Sequence, residues 1–487
     1  MTERYLPIIY VRGYAGTQGD VERSVDDTFY GFNEGSTHIR IGSRDNAQFF
    51  AFESPLVRLM TDHGYRDVFH SGAQELPPAT PAAERHKTVW VYRYYDVTSR
   101  TFERNERRRL EIEEAAEGLR ARVATVKQQT GAPRVLLVAH SMGGLICRSL
   151  IQMTYPKSGQ PATEHIDKLF TYGTPHGGIH FAAGGGALDW VADRLGWNNS
   201  DDFSRDRMYQ YLTPGARPGA RAPEDFRPYD LGGAFPPDRV FCMVGTNAKD
   251  YGAVMGLSSR AVGAQSDGLV QMRHAYARGS HRAYTYRSHS GRYGLVNSEE
   301  AYQNLQRFLF GGIKVEISLR DAGAPPPGGE RFYQADVTVA IRGLPILMHE
   351  QRVERYCPVR IEPPPKETFL YTAFLMPERS ATGDGTCRYA LHLAVNEFRE
   401  RNGLLSFADH LEQTPVWEDT LLTDLRPAGD GFEVSYAWRS QNVTPSTEMT
   451  PLAAADGSVE ADVPLPALGL AALRPRTKLH FKASRWA

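Results

Sequence analysis

The sequence predicts two domains of different class, an α/β domain with a mostly parallel sheet and then an all-β domain. Its 487 residues are too many for one compact core. Apolar strands alternate with amphipathic helices over about the first 310 residues, which is the pattern of a parallel sheet covered by helices on both faces. After Gly311 and Gly312 the pattern changes to short alternating runs between Gly- and Pro-rich turns. We therefore expect domains at residues 1–312 and 313–487.

In the first domain the predicted strands and helices follow one another along the chain. Helices are predicted for 51–63, 102–129, 142–155 and 298–312, the last ended by the paired glycines. The strands are short apolar stretches at 6–11, 88–95, 135–139, 168–173, 239–245 and 283–287.

Two segments of the first domain, about 17–50 and 179–237, carry no strand pattern and are rich in Gly, Pro, Asp and aromatic residues. Long insertions beside a sheet are functional lids or disordered segments, and the aromatic content argues against disorder. Within the second insertion, 187–197 has helical spacing and includes Trp190 and Trp197. We interpret these segments as a lid or cap.

The second domain is predicted to be a β-sandwich because its strands are short, alternate apolar with polar residues, and are separated by turn clusters. These strands are 313–319, 334–341, 369–375, 388–395, 432–438 and 478–484.

Composition is that of an ordinary globular protein, and its charge excludes some partners. The net charge of −1 gives no reason to expect a nucleic-acid or anionic-membrane partner. No apolar run approaches the roughly 18–20 residues of a membrane-spanning helix. The amino terminus, MTERYLPIIYVRG, lacks the basic and apolar regions of a signal peptide, so we expect a cytoplasmic protein or export without a cleavable signal.

Four cysteines do not make a disulfide scaffold in so long a chain. Cys147 and Cys242 stand in apolar surroundings and are expected to be buried thiols. Cys357 and Cys387 both fall in the second domain, and the sequence leaves open whether they pair.

The stretch VLLVAHSMGG, residues 135–144, places Ser141 at the tip of a buried strand where a helix begins. A sharp strand-to-helix turn exposes the serine hydroxyl and leaves room only for small residues two positions to either side, here Ala139 and Gly143. The alternative is an ordinary glycine-containing strand end. The strand before, the helix after and the parallel-sheet context favour a nucleophile.

This stretch resembles the nucleophile elbow of α/β-hydrolases, and is closest to bacterial lipases with Ala in place of the first Gly. In that family the acid and then the histidine follow the serine along the chain. GAQSDGLVQM, residues 263–272, resembles the acid loop of lipases and implies Asp267 as the acid. Asp250 is the alternative, but it follows the preceding strand too closely to be favoured.

The same resemblance implies His289 as the base, because it stands between the last strand of the first domain and the closing helix. The alternatives His274 and His281 both precede that strand. The backbone N–H groups of Met142 and Tyr14 would form the oxyanion hole. Gly13 would allow the close approach of backbone and substrate.

A further stretch, TYGTPHGG at 171–178, resembles the Gly-Thr-Pro-His-x-Gly sequence of lipases, lecithin–cholesterol acyltransferase and the GPI inositol-deacylase-like group. We interpret His176 there as a structural, hydrogen-bonded residue, since no cluster with metal-ligand spacing accompanies it.

The resemblance covers about residues 5–310 and implies an α/β-hydrolase fold with a serine carboxylic-ester hydrolase of lipase type. Such chemistry needs no metal or organic cofactor. An aromatic lid with Trp190 and Trp197 in contact with substrate predicts a sizeable apolar acyl group, as in lipid or phospholipid esters. The alternatives are a phospholipase, thioesterase or acyltransferase with the same site, or a catalytically inactive binding protein. The second domain is expected either to present a lipid interface or only to cover an apolar flank.

Overall fold

The computed structural model describes residues 4–13, 37–41, 47–51, 55–70, 73–92, 94, 111–179, 203–248, 264–289, 294–322, 331–361, 367–400, 411–429, 431–441, 449–452, 458–473 and 476–486. The chain divides into two compact units. The first comprises Met1–Arg282 with Tyr286–Leu305, and the second comprises Ala283–Thr285 with Gln306–Ala487. Within the described ranges, no helix combines the length and the apolar character that a bilayer crossing needs.

Before residue 286 the described part of the chain forms the strands β1 (Ile8–Val11), β2 (Thr37–Ile41), β3 (Ala47–Ala51), β4 (Arg66–Asp67), β5 (Phe69–His70), β6 (Ala73–Gln74), β7 (Thr88–Tyr92), β8 (Val135–His140), β9 (Ile166–Tyr172), β10 (Val240–Gly245) and β11 (His281–Thr285). The helices are α1 (Pro55–His63), α2 (Ile112–Thr130), α3 (Met142–Ser149), α4 (Tyr155–Lys157), α5 (Arg205–Leu212) and α6 (Glu299–Phe310). A π-helical turn, Leu150–Thr154, joins α3 to α4.

The main sheet has the strand order β11-β10-β9-β8-β1-β7-β4. The pairs β4–β7, β7–β1, β1–β8, β8–β9 and β9–β10 are all parallel. Helices connect these strands, and β8, with β1 and β9 beside it, is buried along its apolar residues. This order and pairing confirm the predicted α/β-hydrolase fold class.

Helix α2 shows how the sequence pattern becomes packing. Ile112, Leu119, Val123 and Val126 are buried and recur at helical spacing, so one stripe of the helix faces the interior. The helix ends at Thr130 and is capped by Gly131, whose φ of 75° is the left-handed conformation that suits glycine at a helix terminus.

The structure differs from the prediction in one of the two insertions. We expected no strands in 17–50, but β2 and β3 form an antiparallel hairpin there, with Thr37 opposite Ala51. Strands this short carry too few residues to show a clear alternation. In the second insertion the described chain resumes at Phe203, which is buried together with Tyr211 of α5. The predicted helix at 187–197 lies outside the described residues.

The second unit is built from antiparallel strands, which confirms the predicted β-rich domain. One sheet has the order β16-β12-β22-β21, and the other has the order β14-β13-β17-β18-β19-β20 with β15 beside β13. The strands are β12 (Ile313–Arg320), β13 (Arg331–Ile341), β14 (Leu347–Gln351), β15 (Val359–Ile361), β16 (Thr368–Leu375), β17 (Cys387–Glu400), β18 (Leu411–Ala428), β19 (Gly431–Trp438), β20 (Thr450–Leu452), β21 (Val459–Pro464) and β22 (Lys478–Arg485), and a short helix, α7, spans Ala467–Ala472.

The two sheets pack face to face, as in a sandwich. Tyr389 of β17 stacks with Phe481 of β22, with ring centroids 6.3 Å apart, so the contact crosses from one sheet to the other. On the inner face of β12 every second residue, from Ile313 to Leu319, is buried. Cys357 and Cys387 are buried free thiols, so the structure does not pair them.

Candidate active site

Ser141 occupies a sharp turn between β8 and α3, with φ 54° and ψ −127°. A non-glycine residue in this region is strained, and such strain is characteristic of functional turns. The close packing explains the small neighbours: a Cβ at Gly143 would overlap the backbone carbonyl of Val11, and one at Gly144 would overlap the side chain of Thr174. The turn therefore holds the serine hydroxyl at the carboxyl edge of the central strand.

Three predicted residues that are distant in sequence meet at this turn. The Ser141 hydroxyl lies 2.9 Å from Nε2 of His289, and Nδ1 of His289 lies 2.9 Å from Oδ2 of Asp267. His289 is 2% exposed and Asp267 is 1% exposed, so both groups are shielded from water. The result is a continuous chain of hydrogen bonds from hydroxyl to imidazole to carboxylate.

The loop that carries Asp267 orients its carboxylate. Oδ1 accepts the backbone N–H of Leu269 at 3.0 Å and of Val270 at 2.7 Å. The backbone N–H of His289 donates to the carbonyl oxygen of Asp267 at 2.8 Å, which ties the two loops together. Because Oδ1 is occupied by these donors, Oδ2 remains to accept the Nδ1–H of the imidazole, so Nε2 is the nitrogen that can accept a proton from serine.

Two glycines make room for this chain of groups. A Cβ at Gly13 would lie 3.0 Å from Cβ of Ser141, so this position has little room for a side chain. Gly173, with φ +52°, faces the other end of the site, where a Cβ would lie 3.0 Å from both Oδ2 of Asp267 and Nδ1 of His289. Sequence reasoning did not assign Gly173 this role, although it belongs to the TYGTPHGG stretch.

His140, the residue before Ser141, contacts His289, and the sequence analysis did not predict this contact. Its Nε2–H donates to the backbone carbonyl of His289 at 3.0 Å, and the two ring centroids are 5.0 Å apart. Burial, together with the nearby charges of His289 and Arg12, lowers the pKa of His140 to about 3. His140 is therefore a neutral donor that supports the loop of the base.

Several remaining predicted residues lie outside the described residues: Tyr14, Trp190, Trp197 and the alternative acid Asp250. Met142 is described, and it is the first residue of α3. The first N–H groups of a helix have no partner within the helix, and the helix dipole places positive potential there. The N–H of Met142 therefore lies at the N-terminus of α3, directly after the serine.

The alternative histidines have other surroundings. His274 packs against the TYGTPHGG stretch, where its Nδ1 lies 3.2 Å from the carbonyl oxygen of Gly178, and His281 is buried at the start of β11. His176 is buried with Nε2 3.1 Å from the Thr171 hydroxyl, in accord with the hydrogen-bonded interpretation. Among the residues that the structure describes, no group of three or more His, Cys, Asp or Glu side chains could hold a metal ion.

Behind the nucleophile, Arg148 of α3 is fully buried and joins three segments. Its guanidinium donates to Oε1 of Gln152 at 2.8 Å, to the carbonyl of His176 at 2.9 Å and to the carbonyl of Asp230 at 2.9 Å. Burial lowers the pKa of Arg148 to about 10, which leaves it charged at neutral pH. This side chain fixes the loop of residues 174–178 behind Ser141.

No family model and no curated protein matches the chain. Among solved structures, the chain is similar to phospholipase PlaB from Legionella pneumophila, with 11% identity, a TM-score of 0.33 and coverage of 84% of this chain and 91% of that one. It is similar to the lin2722 product of Listeria innocua, with 13% identity, a TM-score of 0.26 and coverage of 63% and 94%. It is also similar to a putative cell surface hydrolase from Lactobacillus plantarum WCFS1, with 10% identity, a TM-score of 0.26 and coverage of 63% and 91%.

Proposed function

We propose that the first unit is a serine carboxylic-ester hydrolase that works through an acyl-enzyme. The observation that carries the proposal is the buried hydrogen-bonded chain of Ser141, His289 and Asp267, with both distances at 2.9 Å. A serine hydroxyl is a weak nucleophile, and such a chain supplies the base and the orientation that it needs. The strained turn at Ser141 adds support, because it exposes the hydroxyl beside a helix N-terminus.

In the first step Oγ of Ser141 would attack the acyl carbonyl while Nε2 of His289 takes the hydroxyl proton. His289 would then give that proton to the leaving alcohol, and the acyl group would remain on the serine oxygen. Water would enter next and bond to the acyl carbon while Nε2 of His289 takes one of its protons. Nε2 would then return that proton to Oγ of Ser141 as the bond between Oγ and the acyl carbon breaks, which releases the acid. Every proton transfer uses the same nitrogen, which lies 2.9 Å from the serine oxygen.

Three groups, one carboxylate and two backbone N–H groups, would stabilise the charges that arise. Asp267 would hold the imidazole in the Nδ1–H tautomer and stabilise the imidazolium that forms. The N–H of Met142 would donate to the oxyanion, with Tyr14 as the second donor inferred from sequence. Loss of one such donor typically lowers the rate by about 10²–10³.

For the substrate class we propose lipid-like acyl esters. The support is the aromatic content of the insertion at 179–237, with Trp190 and Trp197, since a large apolar wall suits a long acyl chain better than an acetyl group.

A fluorophosphonate probe tests the chemistry. Wild-type protein should be labelled covalently and Ser141→Ala should not. Ser158→Ala, which removes an exposed hydroxyl elsewhere, is the matched control and should be labelled like the wild type. Labelling of Ser141→Ala at the wild-type rate would contradict the proposal, and no labelling of the wild type would favour the binding-protein alternative.

A panel of p-nitrophenyl esters from acetyl to palmitoyl tests the substrate class. We expect kcat/KM to rise with chain length. Phospholipid and thioester substrates, and an alcohol acceptor in place of water, separate the phospholipase, thioesterase and acyltransferase alternatives. A preference for acetyl over long chains would contradict the lipid-like assignment.

A further inference from the structure

A cavity in the first unit has a strongly basic wall, and its described lining does not include Ser141, Asp267 or His289. Its volume is about 650 Å³, within the range of about 300–1,000 Å³ that is typical of small-molecule sites. It lies between the segment that begins at α5 and the chain at 273–282. Five arginines line it: Arg205, Arg227, Arg273, Arg278 and Arg282.

The concentration of charge is local. The whole chain has a net charge of −1, so five arginines around one cavity do not reflect a basic protein. None of the described residues that line the cavity is Asp or Glu. Arg278 is paired from outside the lining, with Nε 3.0 Å from Oδ1 of Asp230. Positive charges gathered in a concave surface repel one another and raise the local concentration of anions.

Three of the arginines are held by neutral acceptors. Arg205 donates to the carbonyl oxygens of Phe226 and Pro223, and Arg273 donates to the side-chain oxygen of Gln271 at 3.1 Å. Arg227 donates to the carbonyl of Glu224 at 2.7 Å. Among the described residues none of these three forms an ion pair. Their positive charge is therefore not cancelled within the described part of the chain.

The other two guanidinium groups lie over aromatic rings of the same cavity. Arg278 is 4.8 Å from the ring centroid of Tyr229, and Arg282 is 4.4 Å from that of Tyr276. A cation over an aromatic ring is attracted by the ring, which restricts the motion of the guanidinium. Arg278 is held further by a hydrogen bond from Nη2 to the hydroxyl of Tyr229 at 3.0 Å. Groups ordered in this way lose less entropy when they bind a ligand.

We propose that this cavity binds a ligand that carries a phosphate group. Arginine matches phosphate because its planar set of N–H donors can make two parallel hydrogen bonds to two phosphate oxygens. Several arginines around one volume suit a group with more than one negative charge. The phosphate belongs either to a soluble phosphate ester or to a lipid headgroup. The inference does not depend on the hydrolase chemistry, since none of these arginines belongs to the catalytic chain.

The test is a calorimetric titration of full-length protein with the Ser141→Ala substitution, which leaves any ester probe intact. The soluble probes are pyrophosphate and glycerol 3-phosphate, and the lipid probes are phosphatidylcholine vesicles with and without phosphatidic acid. The decisive variant is Arg227→Gln/Arg273→Gln, since both side chains are exposed. The matched control is Arg217→Gln/Arg221→Gln, which makes the same charge change at exposed positions of the same unit outside the cavity.

We expect saturable binding of at least one phosphate probe, weakened about tenfold or more by the cavity variant and less than about twofold by the control. Saturation by the soluble probes identifies a soluble phosphate ester. Saturation only by vesicles with phosphatidic acid identifies a headgroup. If the double variant fails to fold by circular dichroism, each single variant should weaken binding about threefold. Absence of saturable binding to every probe, or equal weakening by cavity and control variants, would overturn the proposal.

Discussion

Asp267→Asn is the sharpest test of the candidate site. The loop that carries residue 267 can accept the new side-chain amide in one orientation only. In the wild type, Oδ1 accepts two backbone N–H groups at 3.0 and 2.7 Å, and Oδ2 faces Nδ1 of His289. In the variant the amide oxygen must keep the position of Oδ1, because an NH₂ group there would face two donors. The NH₂ group then points at Nδ1, which must become an acceptor. Nε2 consequently carries the hydrogen and can no longer take the serine proton.

The expected loss of kcat follows from the change to the Nε2–H tautomer of His289. Loss of the correct tautomer with the geometry intact lowers kcat by about 10⁴ in sites of this type, which corresponds to about 5.5 kcal/mol of transition-state stabilisation. Folding should be retained because Asn has the shape of Asp and keeps both bonds to the backbone.

The assay is the single-turnover rate of a p-nitrophenyl ester together with the rate of fluorophosphonate labelling. Tm should be measured alongside, and Asp238→Asn, an exposed carboxylate of the same unit, is the matched control. If Asp267→Asn stays within about tenfold of the wild type in both rates, the Asp267 carboxylate does not set the tautomer of His289 and the reasoning is refuted.

Three further predictions concern the groups around the site. Gly173→Ala should lower kcat/KM by about 10–100-fold, because its Cβ would lie 3.0 Å from the carboxylate of Asp267 and the imidazole of His289 and displace them. Arg148→Lys should lower the free energy of unfolding by about 2–4 kcal/mol in urea titrations, because an ammonium group cannot reach all three acceptors of the buried guanidinium. The carbonyl of His176 would lose its donor, whereas that of Asp230 would keep the side-chain amide of Gln152. The Tm should fall as pH decreases from 6.5 towards 3, and His140→Gln should make that fall less steep. The reason is that the pKa of His140 is about 3 in the native protein against 6.5 when unfolded, so the unfolded chain takes up a proton in this interval and the native protein does not.

Each of these three predictions has a control variant or a result that would contradict it. Gly219→Ala places the same residue at φ +77° with no atom within 4 Å, so it should cost only the backbone strain of about 1–2 kcal/mol and leave kcat/KM unchanged. Equal losses of activity in the two glycine variants would remove the steric argument. Arg120→Lys, an exposed arginine of α2, should change stability little. A Tm profile of His140→Gln parallel to that of the wild type would exclude the linkage to His140.

The order of apolar and polar residues predicted most helices and strands, because residues close together in the chain determine where a helix or strand forms. The apolar run 135–139 could only be a buried strand in this context, and the structure places β8 at Val135–His140. The strands that the sequence analysis missed contain residues that argue for a strand and residues that argue against it. Strand β18, Leu411–Ala428, contains Pro415 and several acidic residues, which argue against a strand. Its inward positions nevertheless alternate, and Pro415 lies where the register with β17 shifts, so the ladder tolerates it.

The sequence by itself determined the strand-to-helix turn at Ser141, the small residues around it and the change from α/β to all-β texture, because each depends on residues close together in the chain. Tertiary structure alone decided that the carboxylate at 267 meets the imidazole at 289, that Gly173 lies against both and that five distant arginines line one cavity. The order of strands in the main sheet is the physical reason that residues distant in sequence meet at the site. Parallel pairing of β1, β8, β9 and β10 brings their carboxyl ends to one edge, and the loops that follow them meet there whatever their separation in sequence.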